Sequence, residues 1–199
     1  MTSDDNSVNI NVDERPYHHG DLKEAALSEG LRVLEQSSVE DLSLRAIARN
    51  LGVSATALYR HYPDKKALLS AIAGEGLARL GIEQTAAMRD ASDGIEGFAA
   101  AGRAYVRFAL AHPAVFRLVM SSQDMAMPAS GETAAMQLLK SSVAALSPEK
   151  DEVSHSISVL RAWSMVHGLA MLMLDNRVHS DDAMIDAMLS ADYVRSGFG

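Results

Sequence analysis

Residues 44–66, LRAIARNLGVSATALYRHYPDKK, constrain the fold more than any other part of the chain. Apolar residues recur at helical spacing on both sides of Gly52. The two stripes are Leu44, Ile47, Ala48 and Leu51, and then Leu58 and Tyr62. Gly52 lies where the chain must turn, and Ser54 is placed as the N-cap of the second helix. The stretch therefore predicts two short helices joined by a tight turn, which cross closely at the small Ala48.

The outward face of the second predicted helix carries a mixture of methyl, hydroxyl, phenol and cationic groups. Its residues are Ala55, Thr56, Tyr59, Arg60 and His61. Such a face suits the DNA major groove, where bases present hydrogen-bonding edges and thymine methyl groups. The stretch is typical of a helix-turn-helix, and the plain alternative is a helical hairpin in a helical protein.

Charge is unevenly distributed along the chain, although the net charge of -8 looks unsuited to a DNA-binding protein. Residues 43–66 contain one anion, Asp64, and five cations, Arg45, Arg49, Arg60, Lys65 and Lys66. The acidic excess lies after residue 66. One end of the molecule is thus expected to attract phosphate while the other repels it. Charge scattered by chance over a solvated surface is the alternative.

Composition excludes several classes of protein. At 199 residues and 48% hydrophobic content, the chain can bury a substantial core. The absence of cysteine excludes disulfides, thiol nucleophiles and thiolate zinc sites. Residues 1–16 have neither a basic start nor an apolar run, so we expect a disordered tail rather than a signal peptide. The longest uncharged run in the helical half, 162–174, is shorter than the roughly 20 residues of a membrane span. These features predict a soluble, cytoplasmic protein without membrane contact.

The remaining sequence predicts an all-α protein, because it has helical periods and no alternating strand pattern. A first helix is expected to begin at Asp21, with Asp21 as its cap, and Ser43 and Asp64 are natural N-caps of later helices. The other predicted helices are 65–88, 95–111, 113–121, 132–145, 149–175 and 181–193. Lys65 would lie in the first turn of its helix, where free N–H groups, the helix dipole and an ammonium can all face one phosphate.

Residues 21–69 resemble the TetR (tetracycline repressor) family of bacterial transcription regulators. The run SLRAIARNLGVSATALYRHYPDKKALL follows the family pattern of Gly-Val-Ser, Leu-Tyr, an aromatic residue and Lys-x-x-Leu-Leu. YHHGDL near the start and WSMVHGL at 163–169 resemble a subgroup with a Trp, His, Gly signature in the C-terminal domain. Ser38 replaces a common glycine and Leu34 a common aromatic residue, both away from the DNA face.

The resemblance implies a division of the chain and a set of DNA contacts. It implies a three-helix DNA-binding domain at 17–64 and a helical effector-binding and dimerisation domain at 65–199. Thr56 and Ala55 would approach base edges, and Arg60 could bind either a base or a phosphate. The residues that look like phosphate contacts are Arg45, Tyr59, His61 and Lys65. Ser54 belongs to the same DNA-binding segment.

Residues 149–175 are apolar around well over half of the helical circumference. One side can pack in its own domain, so the other side needs a partner. With the last helix it would form a four-helix bundle across a two-fold axis, and the resemblance implies the same homodimer. The candidate interface residues are Leu160, Leu169, Met173, Met184 and Met188.

The C-terminal half also offers candidates for a ligand site. His155, His167 and His179 recur every twelve residues, which would turn them to three faces of one helix, so we expect no metal site. Trp163 and His167 are four residues apart and share a face. The set that would line a small apolar pocket is Tyr105, Phe108, Met120, Met125, Trp163, His167 and Met171. The same set fits ordinary core packing equally well.

The sequence therefore predicts a repressor that binds a palindromic operator in double-stranded DNA as a homodimer and is released by a small, largely apolar effector. The alternative is a helical adaptor whose basic hairpin docks an acidic protein partner. An enzyme built on His18, His19 and Asp21 is a third possibility, but no second catalytic cluster accompanies them. We expect no catalytic residues, no cofactor and no metal.

Overall fold

The computed structural model describes residues 19–91, 94–121, 133–146 and 151–197, with side chains from residue 22 to residue 195. Within these ranges the backbone forms ten helices and no strand. The helices are α1 His19–Gln36, α2 Leu44–Asn50, α3 Ala55–Tyr59, α4 Lys65–Arg89, α5 Gly94–Ala111, α6 Pro113–Ser121, α7 Ala134–Leu146, α8 Glu152–Leu174, α9 Asp182–Met188 and α10 Ala191–Gly197. The all-α prediction is confirmed. The predicted tail, 1–16, lies outside the described residues.

A first hydrophobic core joins α1, α2, α3, the first half of α4 and α6. Its buried members include Leu31, Leu34, Leu42, Ile47, Leu58, Tyr62, Leu68, Ile72, Val115 and Val119. Ile47 and Leu58 are fully buried, and each contributes about 1.5–3 kcal/mol by leaving water. The two apolar stripes predicted around Gly52 are therefore the inner faces of α2 and α3.

Local interactions fix the turn and the helix ends. Gly52 has a φ of +69°, a left-handed conformation that favours glycine. The Ser54 hydroxyl accepts a hydrogen bond from the Ala57 N–H at 3.2 Å, and Asp64 accepts one from the Ala67 N–H at 2.7 Å. Ser43 has an extended backbone at the N-cap of α2 but its side chain makes no capping bond. Of the four predicted caps, Ser54 and Asp64 are thus confirmed with side-chain bonds, and Ser43 occupies the N-cap of α2 without one.

A second core lies around α4, α5, α6, α8 and α9. Its buried residues are Leu80, Tyr105, Val106, Phe108, Ala109, Phe116, Leu169, Ala170, Met173, Ile185 and Leu189. The 25-residue helix α4 begins in the first core and reaches the second. It is therefore a continuous connection between the two halves of the molecule.

Helix boundaries differ from the prediction at both ends of the chain. The first helix begins at His19, so Asp21 lies inside its first turn and is not its N-cap. The predicted helix 181–193 is broken into α9 and α10, because Leu189 turns into the core and its carbonyl accepts a hydrogen bond from Arg103 at 2.9 Å. Ser190 then caps the next helix by accepting from the Tyr193 N–H at 3.3 Å. His179 lies beyond the end of α8, in the loop before α9.

In the described part of the chain, α8 is the one helix that is long and apolar enough to cross a membrane. Length and composition alone are weak evidence, since the central helix of a soluble protein has the same properties. In this fold α8 contributes Leu169, Ala170 and Met173 to the second core. Its opposite side remains exposed.

Candidate nucleic-acid interface and ligand cavity

Helix α3 presents polar side chains outward and is held by apolar ones behind it. Thr56 and Arg60 are exposed, and Tyr59 is 40% exposed. On the inner side Leu58 and Tyr62 are buried, and the Tyr62 hydroxyl donates to the Lys23 carbonyl at 3.1 Å. The short helix is thereby fixed to α1, so its outer face is presented in a defined orientation.

The other predicted contact residues of this segment are less accessible. Ala55 and His61 are half-buried, and Ala55 also packs against the first core. The Ser54 hydroxyl is occupied as the acceptor of the α3 capping bond. These three residues lie beside Thr56 and Arg60, so the structure brings the predicted α3 residues together on one side of the domain.

Three arginines of the helix-turn-helix segment are exposed cations. Within the described residues, no ion pair involves Arg45, Arg49 or Arg60, and all three are exposed. By contrast, Arg107 pairs with Asp182 at 2.8 Å and Arg117 with Asp175 at 2.5 Å. Unpaired cations keep their full charge available for phosphate. Arg49 is not among the predicted DNA-contact residues, but as an exposed cation without an ion pair it belongs with Arg45 and Arg60.

Lys65 has an additional role that the sequence did not reveal. Its half-buried side chain donates from Nζ to the Glu40 carbonyl oxygen at 2.9 Å, joining the start of α4 to the loop before α2. An ammonium has three N–H donors, so two remain for a phosphate. Lys65 therefore ties the domain together as well as lying at its charged end.

A cavity of about 120 Å³ lies between α4, α5, α7 and α8. Its walls are mainly apolar, with a few polar groups. Lining residues include Leu77, Leu80, Gln84, Phe98, Tyr105, Met120, Met136, Leu139, Ser142, Arg161, Trp163 and Val166. An apolar cavity with a few polar groups suits a small, largely apolar ligand.

Three aromatic side chains form a hydrogen-bonded chain at the cavity wall. Trp163 Nε1 donates to the Tyr105 hydroxyl oxygen at 3.4 Å, and that oxygen lies 3.1 Å from His167 Nδ1. Burial raises the pKa of Tyr105 to about 12 and lowers the pKa of His167. The Tyr105 hydroxyl bonds to His167 Nδ1 in either imidazole tautomer: it donates where Nδ1 carries no proton, and where Nδ1 is protonated it accepts and can donate to the Met120 sulfur at 3.9 Å.

The seven residues predicted as a pocket occupy different positions. Tyr105, Met120 and Trp163 line the cavity. Phe108 is instead 2% exposed and belongs to the second core, with its ring 5.0 Å from that of His112. Of the other three, His167 lies behind Tyr105, Met171 packs against the second core, and Met125 is outside the described residues.

Sequence reasoning missed several lining residues, notably Gln84, Met136, Leu139 and Arg161. They lie on α4, α7 and α8, which are far apart in sequence. Leu77, Leu80 and Gln84 do share one face of α4 at spacings of three and four residues, a signal that could have been noticed. No pattern within α7 or α8 indicated that these helices line the same cavity as α4.

The predicted interface residues divide into two groups. Leu160 is 58% exposed, and Met184 and Met188 are also exposed. Leu169 and Met173 are buried in the chain's own core, so they cannot contact a partner directly. Val153, Ile157 and Leu172 are exposed apolar residues that the prediction omitted.

No group of three or more His, Cys, Asp or Glu side chains is arranged to hold a metal ion among the residues that the structure describes. His18 lies outside that part of the chain. His19 is the first residue of α1, and its side chain is not described.

Two family models match the chain in consecutive segments. The model for bacterial regulatory proteins of the tetR family matches residues 26–72, and the model for the tetracyclin repressor-like C-terminal domain matches residues 98–192. The first covers the helix-turn-helix, and the second covers α8 and most of the cavity wall but not its α4 residues Leu77, Leu80 and Gln84.

Individual proteins are similar over different lengths. The tetracycline repressor protein class D of Escherichia coli is 37% identical over 57 residues, which are 29% of this chain and 26% of that protein. The chain thus matches about a quarter of the length of this curated relative.

Solved structures are similar over nearly the whole chain. A protein of unknown function from Rhodococcus sp. RHA1 is 32% identical, with a TM-score of 0.75 over 92% of this chain and 98% of its own. A TetR variant from Acinetobacter baumannii AYE in complex with minocycline has 19% identity and a TM-score of 0.64, covering 88% and 95% of the two chains. With both family models matched in order and the fold shared, the chain belongs to the TetR family of transcriptional regulators.

Proposed function

We propose that the protein is a repressor that binds a palindromic operator as a homodimer in the cytoplasm and releases it when a small, largely apolar effector enters the cavity. One observation carries this proposal. Helix α4 begins at Lys65 beside the DNA-reading helices and contributes Leu77, Leu80 and Gln84 to the cavity wall. A change in the position of α4 that accommodates a ligand would therefore also move its first turn, at Lys65, next to the helix-turn-helix formed by α2 and α3.

Helix α6 provides a second physical connection. Its Met120 lines the cavity, while its Val115 packs in the first core beside Gly76 of α4. Packed protein interiors deform little. A displacement of α6 would therefore move the helices of the first core, including α2 and α3, instead of being taken up by local deformation. An effector that binds better to the state unable to bind DNA then shifts the population away from the operator.

At the helix-turn-helix we assign two kinds of contact. Thr56 and Arg60, exposed on α3, would read base edges through a methyl contact and bidentate hydrogen bonds, with Ala55 beside them. The groups assigned to phosphates are Arg45, Arg49, Tyr59, His61 and Lys65. Arg45, Arg49 and Arg60 are exposed and form no ion pair within the described residues, which supports this assignment.

The exposed stripe of α8 supports homodimerisation. Val153, Ile157 and Leu160 follow one another at spacings of four and three residues, so they share one face, and Met184 and Met188 of α9 are exposed as well. Ser156, Arg161 and Ser164 are also exposed on α8. Polar groups on this side suit a protein interface better than lipid, which offers them no hydrogen bonds.

The cavity supports a small effector whose size and polarity are limited by its walls. That a TetR variant from A. baumannii holds minocycline shows that a chain of this fold can hold a small molecule. The low identity with that protein gives no reason to expect the same ligand here. The apolar lining favours a molecule of low overall polarity.

Competition binding with selected DNA tests this function. Fragments of the source genome retained by the purified protein are sequenced, and the shared palindrome is prepared as a labelled duplex. We expect this duplex to remain bound in the presence of excess random DNA. Failure to retain any duplex, together with capture of an acidic protein by the same surface, would favour the adaptor instead.

A further inference from the structure

The side chain of Gln84 has one hydrogen-bonding group that the folded chain leaves unused. Its amide nitrogen Nε2 donates to the Ala101 carbonyl oxygen of α5 at 3.3 Å. Its amide oxygen Oε1 is buried and has no hydrogen-bond partner in the described part of the chain. Gln84 lines the cavity. Gln84, a residue of the cavity wall, therefore carries a buried acceptor that no described donor of the chain satisfies.

The orientation of this amide follows from its surroundings. If Oε1 and Nε2 exchanged places, the amide oxygen would face the carbonyl oxygen of Ala101, and two acceptors would oppose each other. Ala101 thus keeps Nε2 on the α5 side and leaves Oε1 for another donor. Buried acceptors without partners are rare in folded proteins, so this one requires an explanation.

Three of the other polar side chains at the wall already have partners, whereas Ser142 is half-buried and Arg161 exposed, so solvent can satisfy both. Tyr105 is hydrogen-bonded to His167 and accepts from Trp163, so the N–H of Trp163 is used as well. The Thr133 hydroxyl accepts from the Met136 N–H at 3.2 Å at the start of α7. Gln84 is therefore the group that a ligand would satisfy with the greatest gain.

The charge of the wall limits the kind of donor. No described lining residue is Asp or Glu, and the one charged residue among them is Arg161. An ammonium group placed at Gln84 would lose its hydration without meeting an anion. A carboxylate there would face the Gln84 oxygen with no proton to donate. A neutral hydroxyl or N–H group meets neither difficulty.

We propose that Gln84 Oε1 is the specificity-determining acceptor of the cavity, and that the effector is an apolar molecule carrying an uncharged hydroxyl or N–H donor. This inference rests on the proposed role of the cavity as the effector site. It gives the buried Gln84 acceptor a partner that the described part of the chain does not supply. Such a group reduces the stability of the free protein and rewards the matching ligand.

Calorimetric titration with menthol and menthone tests the proposal. The two molecules share one carbon skeleton, but menthol has a hydroxyl donor where menthone has a ketone oxygen that only accepts. We expect wild-type protein to bind menthol about tenfold more tightly than menthone. In Gln84→Leu this ratio should fall to about one, whereas Ser142→Ala, which removes another polar lining group, should keep the wild-type ratio.

Thermal unfolding without ligand supplies a second readout. Gln84→Leu removes the unpaired acceptor at similar volume, so its melting temperature should equal or exceed that of wild type. A clear drop in melting temperature would show that Gln84 stabilises the free fold and would overturn the proposal.

The calorimetric outcomes separate the inference from the proposed function. Equal binding of menthol and menthone by wild type, or a preference for menthol that survives in Gln84→Leu, would overturn the role of Gln84 while keeping the cavity as a ligand site. Binding of neither molecule would overturn the cavity as the site of a small apolar effector, and the inference with it.

Discussion

Arg60 and Lys65 lie close together in sequence but should contribute different kinds of binding. An arginine at a base edge discriminates between sequences, whereas a lysine at a phosphate attracts all of them. We expect Arg60→Ala to reduce, by about 1–3 kcal/mol, the difference in binding free energy between the operator and a duplex changed at one base position. Lys65→Ala should weaken binding to every duplex. It should also lower by about one unit the salt slope, which is the steepness with which the logarithm of the binding constant falls with the logarithm of salt concentration. Fluorescence anisotropy titrations at several salt concentrations measure both effects.

Arg79 is a suitable control for the salt dependence. It is an exposed cation on the same helix as Lys65, but it pairs with Glu75 at 3.3 Å, more than three helical turns from the start of α4. Arg79→Ala should leave the salt slope unchanged. An unaltered slope in Lys65→Ala would contradict the phosphate assignment and leave Lys65 only its tie to Glu40.

His167 should make stability depend on pH. Burial lowers its pKa in the folded protein, so the unfolded chain takes up the proton first as the pH falls. Stability is therefore lost as the pH falls through the unfolded value of about 6.5 towards the lower folded value. A proton on Nδ1 would also make that nitrogen a donor towards Tyr105, whose own pKa of about 12 keeps the phenol proton in place.

Melting temperatures measured between about pH 7.5 and about pH 5.5 check this dependence. We expect a smaller fall in His167→Gln than in wild type. His179→Gln, which changes an exposed histidine in the loop after α8, should keep the wild-type fall. If His167→Gln kept it too, the imidazole would not be the group responsible.

At the scale of the element, α4 and α6 approach closely at one glycine. A Cβ built on Gly76 would lie 2.5 Å from Val115 Cγ1 and 3.3 Å from Val119 Cγ2. The two valines belong to the buried first core, so they cannot move aside freely. We expect Gly76→Ala to reduce the free energy of unfolding by about 1–3 kcal/mol, measured by urea denaturation.

Gly74 provides the matched control two residues away on the same helix. A Cβ there would meet nothing within 4 Å. Gly74→Ala should raise the free energy of unfolding by up to about 1 kcal/mol, because alanine favours the helix. Equal effects of the two substitutions would contradict the close contact between α4 and α6.

Helices were predictable from sequence where local signals suffice. The α3 cap at Ser54, the turn at Gly52 and the start of α4 after Asp64 depend on neighbouring residues, and all are confirmed. The break at Leu189 depends on Arg103, which is 86 positions away, so no local pattern could reveal it. Such long-range hydrogen bonds override helical periodicity.

The arrangement of the whole molecule was only partly predictable. A broad apolar circumference correctly indicated that α8 packs centrally, but it did not show which side faces inward. Leu169 and Met173 pack inside and Leu160 outside, because the position of α5 decides which side of α8 is covered. The cavity is less predictable still, since its walls come from six helices, α4, α5, α6, α7, α8 and α10.

The exposed side of α8 leads to a prediction about assembly. We expect Leu160→Glu to shift the protein towards monomer, measured by sedimentation equilibrium, because it would place like charges at a two-fold interface. Ile82→Glu is the control: Ile82 is 68% exposed, compared with 58% for Leu160, but it lies on α4. If the Leu160→Glu variant remained as fully dimeric as the Ile82→Glu variant, the dimer interface would lie elsewhere on the molecule.

We expect occupation of the cavity and binding of the operator to be coupled through helices α4 and α6 of the same chain. Coupling is reciprocal, so DNA must weaken ligand binding by the same factor by which the ligand weakens DNA binding. The most direct test is calorimetric titration of menthol into the free protein and into the protein saturated with its selected operator duplex. We expect the affinity for menthol to be at least about fivefold lower in the presence of the operator. Equal affinity for menthol with and without the operator would contradict this coupling.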